Sequence, residues 1–301
     1  MLRLGIDLGG TKIELIALDS IGRELLRKRK PTPQGKYQGI LQTIKMLIVE
    51  AEQALGQQGA VGVGTPGALS LATGKIKNAN STCLNGQPLQ QDLENLLHRP
   101  IRLENDANCL ALSEATDGAA VSVPIVFGVI IGTGTGGGIV VDGKILTGAN
   151  AIAGEWGHNP LPWPQIAEWN HPPNCYCGKQ GCIETWLSGP GLMRDYQKTS
   201  GSILEPKEIA LKASQGDQMC EAVLQHYEDR LARALAHIIN ILDPNIIVLG
   251  GGLSNLQRFY HNVPKRWGAY VFSDQINTQL VSPRYGDSSG VRGAAWLWDV
   301  K

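Results

Sequence analysis

Three of the chain's six cysteines, Cys175, Cys177 and Cys182, fall within eight residues, and His158 stands a short loop upstream. Three thiolates and an imidazole complete a tetrahedral shell around Zn2+ and leave no position for a reacting water, so the spacing points to a structural metal. The two arms that carry these ligands are Gly154-Glu-Trp-Gly-His158 and Cys175-Tyr-Cys-Gly-Lys-Gln-Gly-Cys-Ile-Glu184. Each brings a carboxylate, Glu155 and Glu184, that the metal does not need. A metal that pins two loops so that two acids converge makes a rigid polar binding site.

Two other stretches have the chemistry of phosphate turns. In Asp7-Leu-Gly-Gly-Thr-Lys12, Gly9 and Gly10 let the backbone approach a ligand closely, while Thr11 and Lys12 add a hydroxyl and a cation. Asp7, at the end of a buried strand, is placed to hold a hydrated Mg2+ ion. A lone Gly-Gly is more often an ordinary hairpin; the preceding aspartate and following Thr-Lys weigh against that. The second stretch, Gly132-Thr-Gly-Thr-Gly-Gly-Gly138, shows the Gly-x-Gly-x-x-Gly spacing of dinucleotide folds. Those folds need a helix after the glycines, and here the β-branched, turn-forming run Ile139-Val-Val-Asp-Gly-Lys-Ile145 comes next, so a hairpin is expected instead. Neither turn has the Gly-Lys-Ser/Thr of a P-loop. Two such hairpins, with Gly250-Gly251-Gly252 after a later strand, fit an actin-like ATPase fold.

Asp106, in Asn105-Asp-Ala-Asn108, follows a strand and opens a helix. Taken alone it reads equally well as a first-turn carboxylate favoured by the helix dipole. At a strand end in an α/β fold, where ligands collect, it is also placed to orient a substrate hydroxyl and take its proton during phosphoryl transfer.

The elements that must position these residues recur. The first half reads as strands over Leu2–Leu8, Lys12–Leu18 and Glu24–Lys30, a helix over Tyr37–Leu55, strands at Val61–Thr65 and Ile101–Leu103, and a helix through Ala115. The second half restarts with strands at Ile125–Ile131 and Ile139–Val141 and a further short one opened by Gly143. A long helix reaches Leu242 before Pro244, and a buried strand follows at Ile246–Leu249. This weak duplication predicts two similar actin-like domains, residues 1–119 and 120–289, facing across a cleft. The run from Gly290 to Trp298 reads as part of a C-terminal helix, about 290–301, that packs back on the first domain.

With 301 residues there is length for two cores, and 27 basic against 27 acidic residues give no reason to expect nucleic acid or an anionic membrane as partner. The uncharged run between Asp117 and Asp142 is broken by Pro124 and the glycines, so two buried strands are expected rather than a membrane span. The first residues enter a strand pattern at once, without the apolar core of a signal peptide. Together with clustered cysteines this leads us to expect a cytoplasmic protein whose thiols bind metal. Cys83, Cys109 and Cys220 read as buried thiols.

In order along the chain, Asp-Leu-Gly-Gly-Thr-Lys, Glu-Asn-Asp-Ala-Asn-Cys, the glycine run, Gly-Glu-Trp-Gly-His, the cysteine segment and Ile-Val-Leu-Gly-Gly-Gly resemble the sugar kinases of the ROK family over almost the whole length. Asn78–Pro88 and Gly154–Trp163 look most similar to bacterial fructokinase. The resemblance implies an ATP-dependent hexose kinase, with fructose as the expected sugar and mannose as a further one, glucose or the N-acetylhexosamines (N-acetylglucosamine, N-acetylmannosamine) as the alternative, acting as a homodimer. It implies Asp106 as catalytic base and Gly67, Asn80, Asn105, Glu155, His158 and Glu184 as sugar contacts. His158 would spend one ring nitrogen on the metal and offer the other to a sugar hydroxyl. Asp7, Gly9, Gly10, Thr11 and Lys12 would meet ATP on one side. Gly132, Thr133, Gly134, Thr135, Gly136, Gly137 and Gly138, with Gly251 and Gly252, would meet it on the other. Thr135 departs from the family pattern in a variable loop position, and Cys83 stands where that pattern has a bulkier residue. The family's repressors carry a DNA-binding segment ahead of the first turn, and with six residues before Asp7 none is expected here.

Overall fold

The protein, seen here as a computed structural model that describes residues 1–298, divides into two compact units. One comprises residues 1–122 and 138–153 with the chain from Asp287 onward; the other comprises residues 123–137 and 154–286. The first crossing falls at Ser122/Val123, and residues 138–153 return to the first unit.

The first unit is built on β1 (Arg3–Leu8), β2 (Lys12–Leu18), β3 (Glu24–Pro31), β4 (Ala60–Thr65) and β7 (Ile101–Asn105), in the order β3-β2-β1-β4-β7. A hairpin, β5 (Ala68–Leu69) with β6 (Ile76–Lys77), is inserted after β4. The first three strands form an antiparallel meander, whereas β1, β4 and β7 run parallel. β1 and β4 read as continuous apolar runs because both faces of the sheet are covered. The helix α1 (Tyr37–Leu55) buries its Ile40, Ile44, Leu47, Ile48 and Ala51 stripe in that core. It ends at Gly56 in the left-handed conformation.

On the other face lie α3 (Asp106–Thr116) and α10 (Ser289–Trp296), which follow α2 (Leu89–Leu97) and the helices of the second unit in chain order. α10 rests directly on backbone. A Cβ on Gly62 would stand 1.9 Å from the carbonyl oxygen of Ala294, and one on Gly5 would stand 2.1 Å from that of Val291. Glycine in these strands is therefore a packing requirement. Of the segment expected as a C-terminal helix, residues 299–301 lie outside the described residues.

The second sheet has β8 (Ile125–Ile131), β9 (Thr135–Val141), β10 (Lys144–Ile145), β11 (Ile246–Gly250) and β12 (Gln279–Val281), in the order β10-β9-β8-β11-β12. With strands counted within each half, both sheets read 3-2-1-4-5, which is the duplication sensed in the sequence. The strand expected at Ile139 begins four residues earlier, inside the glycine run, because Gly136 to Gly138 extend β9 without side chains to signal it. Short helices α4 (Ile166–Asn170) and α5 (Ile183–Leu187) lead to α6 (Gly189–Ser200), α7 (Pro206–Ser214), the 25-residue α8 (Gln218–Leu242) and α9 (Arg258–Trp267). α8 stops at Asp243, left-handed at φ 48°, ahead of Pro244. Buried Glu168 of α4 receives Arg230 at 2.6 Å and Arg233 at 2.9 Å from α8, a paired cluster that fixes the chain leading from His158 to Cys175. Among the described residues no helix is long and apolar enough to cross a membrane.

Candidate active site and metal centre

Parallel strands gather their carboxyl ends at one edge, and the predicted residues of the first unit lie there. Asp7 pairs with Gly64 across β1 and β4, and Thr65 with Asn105 across β4 and β7. Asp7, Gly67 and Asn105-Asp106 therefore end three adjacent strands, where α/β folds hold ligands. The Gly9-Gly10 turn closes as the expected hairpin, Gly9 N–H donating to Lys12 O at 3.0 Å. Two residues that the sequence did not single out brace it. The Thr32 hydroxyl donates to Gly9 O at 2.7 Å, and the Gln34 amide donates to Gly10 O at 3.0 Å.

Charge is crowded at this edge. Burial, then the neighbouring Asp106 and Glu14, push the Asp7 carboxyl up to about 7, with Lys12 pulling the other way. Glu14, 1% exposed, is met by Arg27 at 2.7 Å, Arg29 at 2.8 Å and Lys12 at 3.5 Å. Glu14 has its cations, but Asp7 beside Asp106 favours a further one, and Lys12 at the rim favours an anion; Mg2+ carrying phosphates satisfies both.

Asn105 caps α3: its Oδ1 accepts from Ala107 N at 2.9 Å, and its Nδ2 donates to Gly67 O at 2.9 Å. That leaves one amide hydrogen for a ligand. Asp106, half-buried, has its carboxylate turned by a 2.8 Å bond from Ala107 N. Gly138, the last glycine of the second turn, packs against the start of the same helix, where a Cβ would come within 2.4 Å of Ala107 O. Gly67, at φ 78°, admits no side chain, because a Cβ would lie 2.5 Å from Lys77 O. Exposed Asn80 sits on a loop held by Asn85, whose amide accepts from Ala79 N at 2.8 Å and donates to Ala79 O at 2.9 Å.

In the second unit, His158, Cys175, Cys177 and Cys182 bring four ligand atoms within 4.8 Å of one another. Cys175 Sγ lies 3.5 Å from His158 Nδ1, and Cys177 Sγ lies 3.6 Å from Cys182 Sγ. A zinc tetrahedron with bonds of about 2.3 Å to sulfur and about 2.0 Å to nitrogen has edges of roughly 3.5 and 3.8 Å, so the donor set fits the ion. Burial holds the Cys182 thiol up at about 12, while the Lys179 backbone N–H draws Cys177 down. Metal entry must therefore displace protons.

The second nitrogen of His158 differs from expectation. Nε2 meets the Tyr176 hydroxyl at 3.0 Å, the two rings edge to face, so a sugar hydroxyl would reach it by displacing Tyr176. Burial and then the charges of Glu184 and Glu155 raise the Tyr176 phenol to about 12.

The second turn ends β8, Gly132 N–H closing on Gly134 O at 2.9 Å. Beside it, Gly251 (φ 80°) follows β11, so close to the end of β8 that a Cβ would come within 2.5 Å of Ile131 O. Gly252 has open space around it. The predicted residues thus fall into two groups. The first unit has Asp7, Gly9 to Lys12, Gly67, Asn80, Asn105, Asp106 and Gly138. The second has Gly132 to Gly137, Glu155, Glu184, Gly251, Gly252 and the four ligands.

This doubled 3-2-1-4-5 sheet with glycine turns at the carboxyl edges is the α/β fold of the actin-like ATPases. Residues 3–301 match the ROK family model, and the chain belongs to that family. It is 42% identical over 297 residues, 97% of each chain, to an N-acetyl-D-glucosamine kinase of Yersinia pseudotuberculosis. The corresponding kinase of Salmonella gallinarum is 41% identical over 296 residues, covering 97% of this chain and 98% of that one. Among solved structures, a ROK hexokinase from Thermus thermophilus superposes with a TM-score of 0.85 at 30% identity, covering 98% of this chain and 97% of that one. A ROK glucokinase from Streptomyces griseus, solved with glucose and AMPPNP, gives 0.82 at 28% identity and covers 99% of each. The expected kinship to fructokinase finds no support in these relatives, and the family does.

Proposed function

We propose that the chain is an ATP-dependent hexosamine kinase that transfers the γ-phosphoryl group of Mg-ATP to the 6-hydroxyl of N-acetylglucosamine. The observation that carries this reading is Asp106 at the amino end of α3, beside Asp7 and the first glycine turn, in a chain over 40% identical along 97% of its length to kinases of that sugar. The same relatives support the hexosamine over fructose, the sugar first expected. Glucose is the second reading, favoured by the glucose-bound structural relative.

Asp106 orients the sugar hydroxyl and accepts its proton as the oxygen attacks the γ-phosphorus. Its own carboxylate is aimed by the Ala107 N–H, so little reorganisation is needed. Lys12 and the amides of the glycine turns bear on the phosphates, and Asp7 holds the magnesium of the nucleotide. The candidate sugar contacts are Asn105, Gly67 and Asn80 in the first unit and, by themselves in the second, Glu155, His158 and Glu184. His158, Cys175, Cys177 and Cys182 would hold a zinc ion, which would supply rigidity to the two arms rather than a reacting group. The homodimer remains part of the proposal and is tested by sedimentation.

The discriminating experiment is ADP release measured across N-acetylglucosamine, N-acetylmannosamine, glucose, mannose and fructose. The highest kcat/KM is expected for N-acetylglucosamine. A preference for fructose would return the assignment to the first expectation, and no sugar-dependent release would overturn the kinase reading.

A further inference from the structure

Both arms of the four-ligand cluster hold the backbone of the turn Gly132–Gly137. From the first arm, buried Trp156 donates its indole N–H to Gly136 O at 2.9 Å, its ring set edge-on against Phe127 at 5.6 Å. From the second, Glu184 Oε2 accepts the Thr135 N–H at 3.0 Å, and five residues on Gly189 N–H donates to Gly132 O at 2.7 Å. The surfaces interlock without room for a methyl group. A Cβ on Gly157 would lie 2.0 Å from Thr135 O, one on Gly134 would lie 2.6 Å from Glu184 Oε2, and one on Gly137 would lie 2.8 Å from Trp156 Cδ1.

The polarity of these bonds has a consequence for an anion. A carbonyl oxygen facing phosphate repels it, whereas successive N–H groups attract it. Here the carbonyls of Gly132 and Gly136 are drawn onto the N–H groups of Gly189 and Trp156, which fixes the turn with those two oxygens engaged, while Glu184 anchors it at the cost of one donor, the Thr135 N–H. We infer that Trp156 and Glu184 are positioning residues for the nucleotide: the cluster's arms set the turn in its phosphate-binding shape. This rests on the reading that the turn holds nucleotide phosphates. Glu184 then has two duties, one oxygen on the turn and the other available to the sugar.

The test is calorimetric titration with Mg-ADP in the absence of sugar, so that sugar contacts do not enter. Trp156→Phe keeps the ring and removes the donor, and Glu184→Ala removes the acceptor. Each is expected to weaken Mg-ADP about three- to tenfold, the scale of one lost hydrogen bond, and to raise the KM for ATP with it. Glu184→Gln keeps an acceptor for Thr135 N–H and is expected to stay within about twofold of the native Kd, a rescue that general loss of stability would not give. Thr133→Asp, an exposed change on the turn itself, controls for the underlying reading and is expected to weaken Mg-ADP at least about tenfold through charge repulsion. Native affinity in Trp156→Phe and Glu184→Ala with loss in Thr133→Asp overturns the inference and leaves the turn's role standing. Native affinity in all of them overturns both. Should Trp156→Phe fail to fold, the Glu184 pair decides alone.

Discussion

Asp7 is held at a disadvantage that the proposed magnesium ion would relieve, and this gives a stability experiment independent of activity. Its pKa is displaced from 3.8 to about 7, first by burial and then by Asp106 and Glu14. Three pH units at about 1.4 kcal/mol each set a ceiling near 4 kcal/mol. Asp7 is only partly buried at the strand end, so water screens the interaction and about 1–2 kcal/mol is the working figure. The folded chain binds a proton at Asp7 more readily than the unfolded chain does. This destabilisation is therefore absent below about pH 4, grows as pH rises toward 7, and is constant above it. Asp7→Asn removes the titrating charge and keeps the shape. In metal-free buffer, thermal unfolding scanned from pH 4 to 9 should find the variant equal to the native chain at the acid end and a few degrees more stable above pH 7. Magnesium should narrow the gap by stabilising only the native chain. A variant equally or less stable at pH 8 would refute a carboxyl raised at Asp7 by burial and its acidic neighbours.

Cys177→Ala is expected to lose its metal by elemental analysis, and to weaken both sugar and Mg-ADP because both arms loosen; stoichiometric zinc in the variant would exclude this ligand set. Asn85→Ala should release the Asn80 loop and raise the sugar KM about three- to tenfold while sparing the KM for ATP, which steady-state kinetics with each substrate varied will resolve. Gly62→Ala places a Cβ 1.9 Å from Ala294 O and should destabilise by about 1–3 kcal/mol or more, read as a fall in thermal midpoint without change in KM for the protein that remains folded.

The clustering of His158 with Cys175, Cys177 and Cys182 is legible because cysteine and histidine at short spacing have few other uses, and Asp7 and Asp106 are legible as candidates because acids at strand ends stand out against apolar runs. The Rossmann-like spacing at Gly132 leads into strand from Thr135 onward, as the β-branched residues after the glycines imply, and no helix opens there. What the sequence hides is carried by backbone groups. Thr32 and Gln34 reach the first turn from over 20 residues away, and Trp156 and Glu184 reach the second through one carbonyl and one amide. Such bonds depend on where the chain passes and leave no pattern of residue types. The partner of His158 Nε2 is similar: Tyr176 is visible in the sequence, but its hydroxyl's direction is set by the fold of the loop. The choice between fructose and a hexosamine is also beyond the motifs, which the family's kinases share and which report phosphoryl transfer rather than the pocket wall.

The most direct test of the whole account is 31P NMR of ATP with N-acetylglucosamine, run in parallel with the native chain and with Asp106→Asn. The native chain should convert ATP to ADP and a sugar 6-phosphate in equal amounts. The variant should bind the sugar yet form product more slowly by about two to four orders of magnitude, the range typical of a positioned general base. Near-native phosphate transfer by Asp106→Asn, or ADP with inorganic phosphate in place of sugar phosphate from the native chain, would contradict it.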